Sequence, residues 1–78
     1  MTLSVISSFS TLFKGEADSV TLPGVKGSFT VLKNHAPLIS VLTAGKVVYK
    51  TPEGKEEELS IKGGLVDVAD NRISVCVY

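Results

Sequence analysis

Apolar and polar residues alternate with a period of two through most of this 78-residue chain. In the last segment, Ile73, Val75 and Val77 occupy every second position, and Ser74 and Cys76 lie between them. Successive side chains of a β-strand point to opposite faces, so this pattern predicts a strand with one buried face. Similar short runs rich in valine, isoleucine, leucine and threonine predict further strands at 3–6, 17–24, 38–42, 46–50, 58–61 and 65–68.

Turn-forming residues separate these runs at short intervals. Pro52 followed by Gly54 in "TPEGK" predicts a tight hairpin, and "ADNR" at 69–72 predicts a second one. The glycines of "LPGVKG" and "KGG" predict sharp bends or places where two backbones come close. Pro37 forces Ala36 away from helical angles, so the apolar run that follows is not helical. The sequence therefore predicts an all-β protein.

Seven or more short strands, with a turn about every 8 to 12 residues, are typical of a β-sandwich or a small barrel. Because each strand has one apolar face, two sheets packed face to face are the simplest way to bury these faces. A chain of 78 residues has room for one core. We therefore predict a single domain over residues 1–78. The acidic run "KEEEL" at 55–59 is expected on a solvated edge strand, where charges prevent edge-to-edge pairing.

Charge and composition exclude several classes of function. Eight Lys and Arg residues balance eight Asp and Glu residues, and aromatic residues make up 6% of the chain, so nucleic acid is not an expected partner. Cys76 is the single cysteine, which precludes an internal disulfide, and we predict that it is a small buried core residue. No segment approaches the roughly 18 consecutive apolar residues of a membrane-spanning helix, so membrane association is expected only through a partner.

The search for catalytic and ligand-binding motifs leaves few candidates. No phosphate-binding loop is present, and one histidine with one cysteine cannot form a two-histidine metal site or a Cys-x-x-Cys pair, so no cofactor or metal is expected. His35 lies between an asparagine and an Ala-Pro pair, where it either orients a corner through hydrogen bonds or contacts a partner. Two alternatives to a docking domain are an enzyme that uses His35 with Asp67 or Cys76, and a lipoyl- or biotinyl-type carrier modified at Lys55.

Four segments, in register along the chain, carry a resemblance to a known family. The stretch "LFKGEADSVTLPGVKGSFTVLKNHAPLIS" at 12–40 and the later "GGLVDV" resemble the N-terminal β-sandwich of the ε subunit of F-type ATP synthases. The resemblance covers nearly the whole chain and implies a two-sheet sandwich of about ten short strands. The matching pieces are L-F-x-G-E at 12–16, V-x-L-P-G at 20–24, G-x-F-x-V-L-x-N-H-A-P-L at 27–38 and G-G-x-V-x-V at 63–68.

The resemblance implies a mechanical role rather than a catalytic one. Members of this family join the rotating γ shaft to the membrane c-ring, and so couple ion-driven rotation of the ring to ATP synthesis on other chains. By this resemblance the expected partners are the γ subunit and the c-ring, and the chain is not expected to assemble with itself. The expected location is the cytoplasmic side of a bacterial inner membrane, reached only through the complex.

For such a subunit, our hypothesis is that the loop around Ser28 and the "LKNHA" segment form the docking surface, with Leu32 and His35 as anchors. Ser28 stands where many members have an acidic residue, and Lys33 where many have proline, so Lys26 or Lys33 is expected to meet the ring differently. Typical relatives continue into two inhibitory C-terminal helices; if these 78 residues are the natural length, the protein couples without a helical brake. The candidate partner-binding residues are Lys26, Gly27, Ser28, Leu32, Lys33, Asn34, His35 and Ala36.

Overall fold

The structure, a computed structural model, describes all 78 residues as nine β-strands and the turns between them. Each strand has five or six residues, so the predicted period of two never extends far before a turn interrupts it. The strands are β1 (Thr2–Ile6), β2 (Thr11–Glu16), β3 (Ser19–Gly24), β4 (Gly27–Leu32), β5 (Leu38–Leu42), β6 (Gly45–Lys50), β7 (Glu56–Ile61), β8 (Gly64–Ala69) and β9 (Arg72–Val77). No helix that could span a membrane is present.

The strands form one continuous sheet that folds at a corner into two halves, which are the first and second sheets of the sandwich. The first sheet has the order β2, β1, β9, β8, β5, and the second has the order β7, β6, β3, β4. Neighbouring strands are antiparallel except β1 and β9, which are parallel. The sheets meet where Gly24 of β3 pairs with Leu42 of β5, next to a hydrogen bond from Val25 N–H to the Val41 carbonyl (3.1 Å). The predicted two-sheet, all-β sandwich is therefore confirmed, with nine strands in a sheet that curls through this corner.

The alternating apolar residues form the core between the two sheets. Sixteen apolar residues are buried, and no polar or charged side chain is buried with them. The strand register keeps these side chains in rows, because Val75 of β9 lies opposite both Val5 of β1 and Val66 of β8. Near the edge of the first sheet, the ring of Phe13 packs on Tyr49 of the second, with 4.4 Å between the ring centroids. Burial of apolar surface is thus the main force that holds the two sheets together.

Both predicted hairpin turns are confirmed. Between β6 and β7, Thr51 N–H donates to the Lys55 carbonyl (2.8 Å), and Gly54 has a φ of 87°, which glycine adopts without strain. Between β8 and β9, Asp70 and Asn71 have φ angles of 51° and 58°. A two-residue turn with both residues in this left-handed region matches the right-handed twist of the flanking strands.

Two strands, β2 and β4, lie outside the runs that alternation predicts. In β2 the register with β1 shifts by one residue at Leu12, which interrupts the period of two. β4 begins at Gly27, directly after a two-residue turn in a segment that the sequence analysis treats as a bend. The acidic run is on an edge strand as predicted, because β7 is the last strand of its sheet and Glu56, Glu57 and Glu58 are exposed.

Cys76 is exposed, so the prediction that it is a buried core residue is wrong. The alternation within β9 gives the physical reason. Val75 and Val77 are buried, so the residue between them must face outward. On the outer face, Cys76 lies opposite Leu65 of β8 and Ile6 of β1.

Candidate functional site

An open groove separates the free edges of β4 and β5, beside the corner that joins the two sheets. β4 pairs only with β3, and β5 pairs with β8 but meets β3 at a single residue pair. The groove has a volume of about 550 Å³, and its ionisable lining residues are Lys26 and His35. Its lining is otherwise mainly apolar, as is common for binding sites. The other lining residues are Val25, Phe29, Thr30, Leu38, Ile39, Ser40 and Val41.

The connection from β4 to β5 is a corner held by its own hydrogen bonds. Asn34 has a φ of 61°, as its turn-forming character predicts. His35 N–H donates to the Leu32 carbonyl (3.2 Å), and His35 Nδ1 lies 2.7 Å from the Ala36 carbonyl oxygen. A carbonyl oxygen only accepts, so Nδ1 is the donor in this contact. These hydrogen bonds agree with the predicted role of His35 in orienting the corner, and its contact with a partner stays a prediction.

Two contacts connect this corner to the rest of the molecule. Asn34 N–H donates to the side-chain oxygen of Asn71 (2.9 Å), which belongs to the β8–β9 turn. Lys33 Nζ lies 3.1 Å from the Asp18 carboxylate, but both side chains are largely exposed and such pairs add little stability. The corner is therefore positioned mainly by its turn geometry and by the hydrogen bond to Asn71.

The eight candidate docking residues are all exposed, but only some of them border the groove. Lys26 and His35 line the groove, and Gly27 and Ser28 begin the free strand β4 beside it. Leu32 is 58% exposed at the end of β4, outside the groove lining. Of the two candidate lysines, Lys26 lines the groove, and Lys33 lies outside the lining and is paired with Asp18. The remaining candidates on the corner are Lys33, Asn34 and Ala36.

The apolar residues of the groove were not predicted from the sequence. Val25, Phe29, Ile39 and Val41 line it, and Ile39 is 75% exposed. The strand β5 reads Leu-Ile-Ser-Val-Leu, so apolar residues occupy both of its faces. Alternation alone does not show which face of such a strand is buried. The available signal was the nearly complete lack of polar residues on a strand of a two-sheet sandwich, where one face normally meets water.

A second apolar feature continues from the groove across the outer face of the first sheet. Val41, Leu65, Cys76 and Ile6 are successive cross-strand neighbours on β5, β8, β9 and β1, and all four are exposed. We call these four residues the outer apolar row. Phe9, in the turn that follows β1, is 97% exposed. Contiguous exposed apolar residues of this kind indicate an interaction surface.

The groove offers surface and backbone rather than reactive groups. No three His, Cys, Asp or Glu side chains come together to hold a metal ion. His35 makes its hydrogen bonds within the corner, and no hydrogen bond joins it to Asp67 or Cys76. Outside the groove, burial and to a smaller degree the charge of Glu57 raise the pKa of the Tyr49 hydroxyl. The arrangement is thus suited to docking.

Comparison with protein families identifies the chain. The sequence model of the family described as "ATP synthase, Delta/Epsilon chain, beta-sandwich domain" matches residues 1–78. The chain belongs to this family. The resemblance that the four sequence segments carry is therefore confirmed, and the two alternatives, a modified carrier domain and a small enzyme, are not supported.

Curated ATP synthase epsilon chains are similar over most of this sequence. The one from Leptospira borgpetersenii serovar Hardjo-bovis (strain JB197) is 41% identical over 75 residues, which cover 96% of this chain and 58% of the relative. The one from Chlorobaculum tepidum is 39% identical over 71 residues, which cover 91% of this chain and 81% of the relative. The chain thus spans little more than half of the first relative and most of the second.

A solved structure has the same fold. A chain of the Euglena gracilis mitochondrial ATP synthase, determined with OSCP, F1 and the c-ring, superimposes with a TM-score of 0.90. The two chains share 22% sequence identity, and the superposition covers 96% of this chain and 48% of the Euglena chain. The epsilon-type β-sandwich is therefore the fold of residues 1–78.

Proposed function

We propose that this chain is a non-catalytic rotor subunit of an F-type ATP synthase. In this role it binds the γ shaft and the c-ring, so that ion-driven rotation of the ring reaches the catalytic chains as torque on the shaft. The observation that carries the proposal is the family match over all of residues 1–78, together with relatives about 40% identical that are ATP synthase epsilon chains. The absence of a cluster of reactive side chains is compatible with this mechanical role.

We assign the docking surface to the groove, the β3–β4 hairpin and the β4–β5 corner. These parts bring together the eight candidate residues and an apolar lining in one region of the molecule. Specific association requires a desolvated apolar centre, which Phe29 and Ile39 supply, and a polar rim, which Lys26 and the backbone of Ser28 supply.

Torque transfer requires a domain that does not deform when one partner rotates and the other resists the rotation. No polar or charged residue type is buried in the core, and 37 backbone hydrogen bonds lie within the strands. At the docking surface, the hydrogen bond between Asn34 and Asn71 holds the corner against the β8–β9 turn. A close-packed sandwich with a fixed corner transmits strain instead of absorbing it.

The proposed location is the cytoplasmic side of a bacterial plasma membrane, where the complex alone supplies contact with the bilayer. The proposal gives residues 1–78 no part in inhibition by a helical arm, because these residues form only strands and turns.

Co-purification from membranes is the direct test of this function. A tagged copy of the chain, expressed in its source cell, is expected to purify from mild detergent extracts in a fixed ratio to the catalytic subunits of the ATP synthase. Deletion is expected to lower ion-driven ATP synthesis in membrane vesicles. Elution of the chain free of the ATP synthase would contradict the proposal.

The docking surface is tested by alanine at its two predicted anchors. Leu32→Ala with His35→Ala is expected to weaken assembly by about 2 kcal/mol or more, which is about thirtyfold in Kd, because a few anchors carry most of the binding energy. A matched double variant, Pro52→Ala with Lys55→Ala, changes two exposed residues in the β6–β7 turn, outside the assigned docking surface, and is expected to assemble normally. Both variants should remain folded. If the first unfolds, its residues serve the fold and the interface lies elsewhere.

A further inference from the structure

Strand β4 has a backbone edge without a hydrogen-bonded neighbour. Its single partner is β3, and in that ladder Pro23, which has no N–H, lies opposite Ser28. The Pro23 carbonyl accepts a hydrogen bond from Thr43 N–H (2.8 Å), on the side of β3 away from β4. Pro23 and Ser28 are therefore a non-hydrogen-bonded pair, and every second pair of an antiparallel ladder is of this kind. The N–H groups of Ser28, Thr30 and Leu32 thus point to the free edge.

The free edge of β5 borders the same groove from the other side. The Val41 carbonyl accepts from Val25 N–H, so at this position the backbone of β5 points away from its partner β8. By the same alternation, the N–H and carbonyl of Ile39 also point away from β8. Two partly unpaired edges therefore border one apolar groove of about 550 Å³. Exposed edges accept an extended peptide as an additional strand through main-chain hydrogen bonds.

The groove also carries a net positive charge. Lys26 lines it together with His35, and none of the nine lining residues is Asp or Glu. Lys33, close by on the corner, already has its carboxylate partner in Asp18, whereas no ion pair involves Lys26. A segment that enters the groove with a carboxylate is electrostatically complementary to it.

We propose that the groove binds an extended acidic segment of another ATP synthase subunit as an added β-strand on the edge of β4. The apolar side chains of this segment lie against Phe29, Ile39 and Val41, and its carboxylate lies opposite Lys26. Backbone pairing supplies affinity in this mode of recognition, and the alternate side chains supply specificity. The inference rests on the proposed function, because it assigns a binding mode to the same docking surface.

Backbone hydrogen exchange tests the added strand directly. The chain is measured alone and after assembly with ATP synthase depleted of this subunit. The amides of Ser28, Thr30 and Leu32 are expected to exchange at least about tenfold more slowly in the complex, because the new strand accepts their hydrogen bonds. The amides on the free edge of β7 serve as the reference within the same chain.

Three variants separate the backbone of Ser28 from its side chain. Ser28→Pro removes the outward N–H and should lower the affinity for the depleted complex about tenfold, whereas Ser28→Ala keeps it and should bind within about twofold of the parent. Ser60→Pro is the matched control on β7. At the start of the β6–β7 ladder, Thr51 N–H donates to the Lys55 carbonyl, so Thr51 and Lys55 are a hydrogen-bonded pair. Hydrogen-bonded and non-hydrogen-bonded pairs alternate from there, and the pair of Lys46 with Ser60 is non-hydrogen-bonded. The Ser60 N–H therefore points to the free edge of β7. This variant should assemble like the parent.

A charge reversal tests the acidic character of the segment. Lys26→Glu is expected to lower the affinity about tenfold at low salt, and Lys55→Glu, in the β6–β7 turn, to leave it unchanged. Equal affinities of these two variants would overturn the proposal that the bound segment is acidic.

Three results would overturn the proposal that a segment of another subunit adds a strand to the edge of β4. The first is assembly of the chain without slower exchange of the three amides, which leaves the proposed function intact. The second is equal loss of affinity in Ser28→Pro and Ser28→Ala. The third is protection of the same amides in the concentrated isolated chain, which assigns the edge to a second copy. A chain that never assembles with ATP synthase defeats the proposed function and this inference together.

Discussion

At the scale of single residues, Asn34 and Asn71 hold the docking corner in place. Both have positive φ angles, and one hydrogen bond of 2.9 Å joins the backbone of the first to the side chain of the second. A left-handed backbone costs an ordinary L-residue roughly 1–2 kcal/mol, and asparagine tolerates it better because its short side chain bonds locally. The corner therefore depends on residue type at these two positions more than on the exposed pair of Lys33 and Asp18.

Substitution of Asn34 tests this dependence on backbone angle. Asn34→Ala is expected to destabilise the chain by about 1 kcal/mol, because alanine is strained at a φ of 61°. Asn34→Gly keeps the N–H that bonds to Asn71 and tolerates the angle, so it should cost only a few tenths of a kcal/mol. Urea unfolding of the two variants measures the difference. Equal stability of both would show that the corner does not require a left-handed residue.

Tyr49 is expected to make stability sensitive to alkaline pH. Its pKa in the folded chain lies above the usual value near 10, mainly because of burial and secondly because of Glu57. The folded state therefore holds this proton more tightly than the unfolded state does. The stabilising contribution is complete below about pH 10, and it declines as the pH rises through the folded pKa, since the unfolded chain ionises first.

Urea midpoints at about pH 8 and pH 11 test this titration. Tyr49→Phe keeps the ring packing against Phe13 and should lose less stability between the two pH values than the parent does. Tyr78→Phe, at an exposed residue, is the control and should behave like the parent. An unchanged alkaline loss in Tyr49→Phe would contradict this role for the hydroxyl.

At the scale of the strands, β9 shows how alternation assigns each residue to a face. Its buried residues are Ile73, Val75 and Val77, and the residues between them face outward. Cys76 is a typical core residue by composition, yet its position in the strand places it in the outer apolar row. Position within the strand thus outweighs the average preference of the residue type.

Two alanine variants in β9 measure this contrast. Ile73→Ala is expected to destabilise the chain by about 2–5 kcal/mol, because it opens a cavity in a fully buried row. Cys76→Ala, on the outer face of the same strand, should change stability by no more than about 0.5 kcal/mol. In addition, the thiol of folded Cys76 should react readily with a disulfide reagent. A protected thiol would show that the outer face of β9 is covered.

The strands and turns were predictable from the sequence where a local rule decides them. The hairpin at Gly54 and the turn at Asp70 and Asn71 follow from backbone angles that few residues adopt, and most strands follow from the period of two. The groove was not predictable, because it depends on which strands stay unpaired. That outcome is set by contacts distant in the chain, such as the parallel pairing of β1 with β9 and the single meeting of Gly24 with Leu42.

At the scale of the whole molecule, the chain combines an apolar core with a proposed docking surface of mixed character. Equal numbers of acidic and basic residues leave no overall field to attract a partner, so recognition depends on local features. Those features are the groove with its free strand edge, the positive Lys26 beside it, and the corner fixed by Asn34. A small sandwich of this kind can join two larger partners without changing its own shape.

Cross-linking within the native membrane tests whether the region around Ser28 contacts the γ subunit or the c-ring. A photoreactive phenylalanine analogue replaces Ser28 beside the groove or, as a control, Pro52 in the β6–β7 turn, and illuminated membranes are analysed by mass spectrometry. Cross-links to the γ subunit or the c-ring are expected from the Ser28 position, and none to them from the Pro52 position. Cross-links from position 28 to proteins outside the ATP synthase, or none at all, would contradict this expectation.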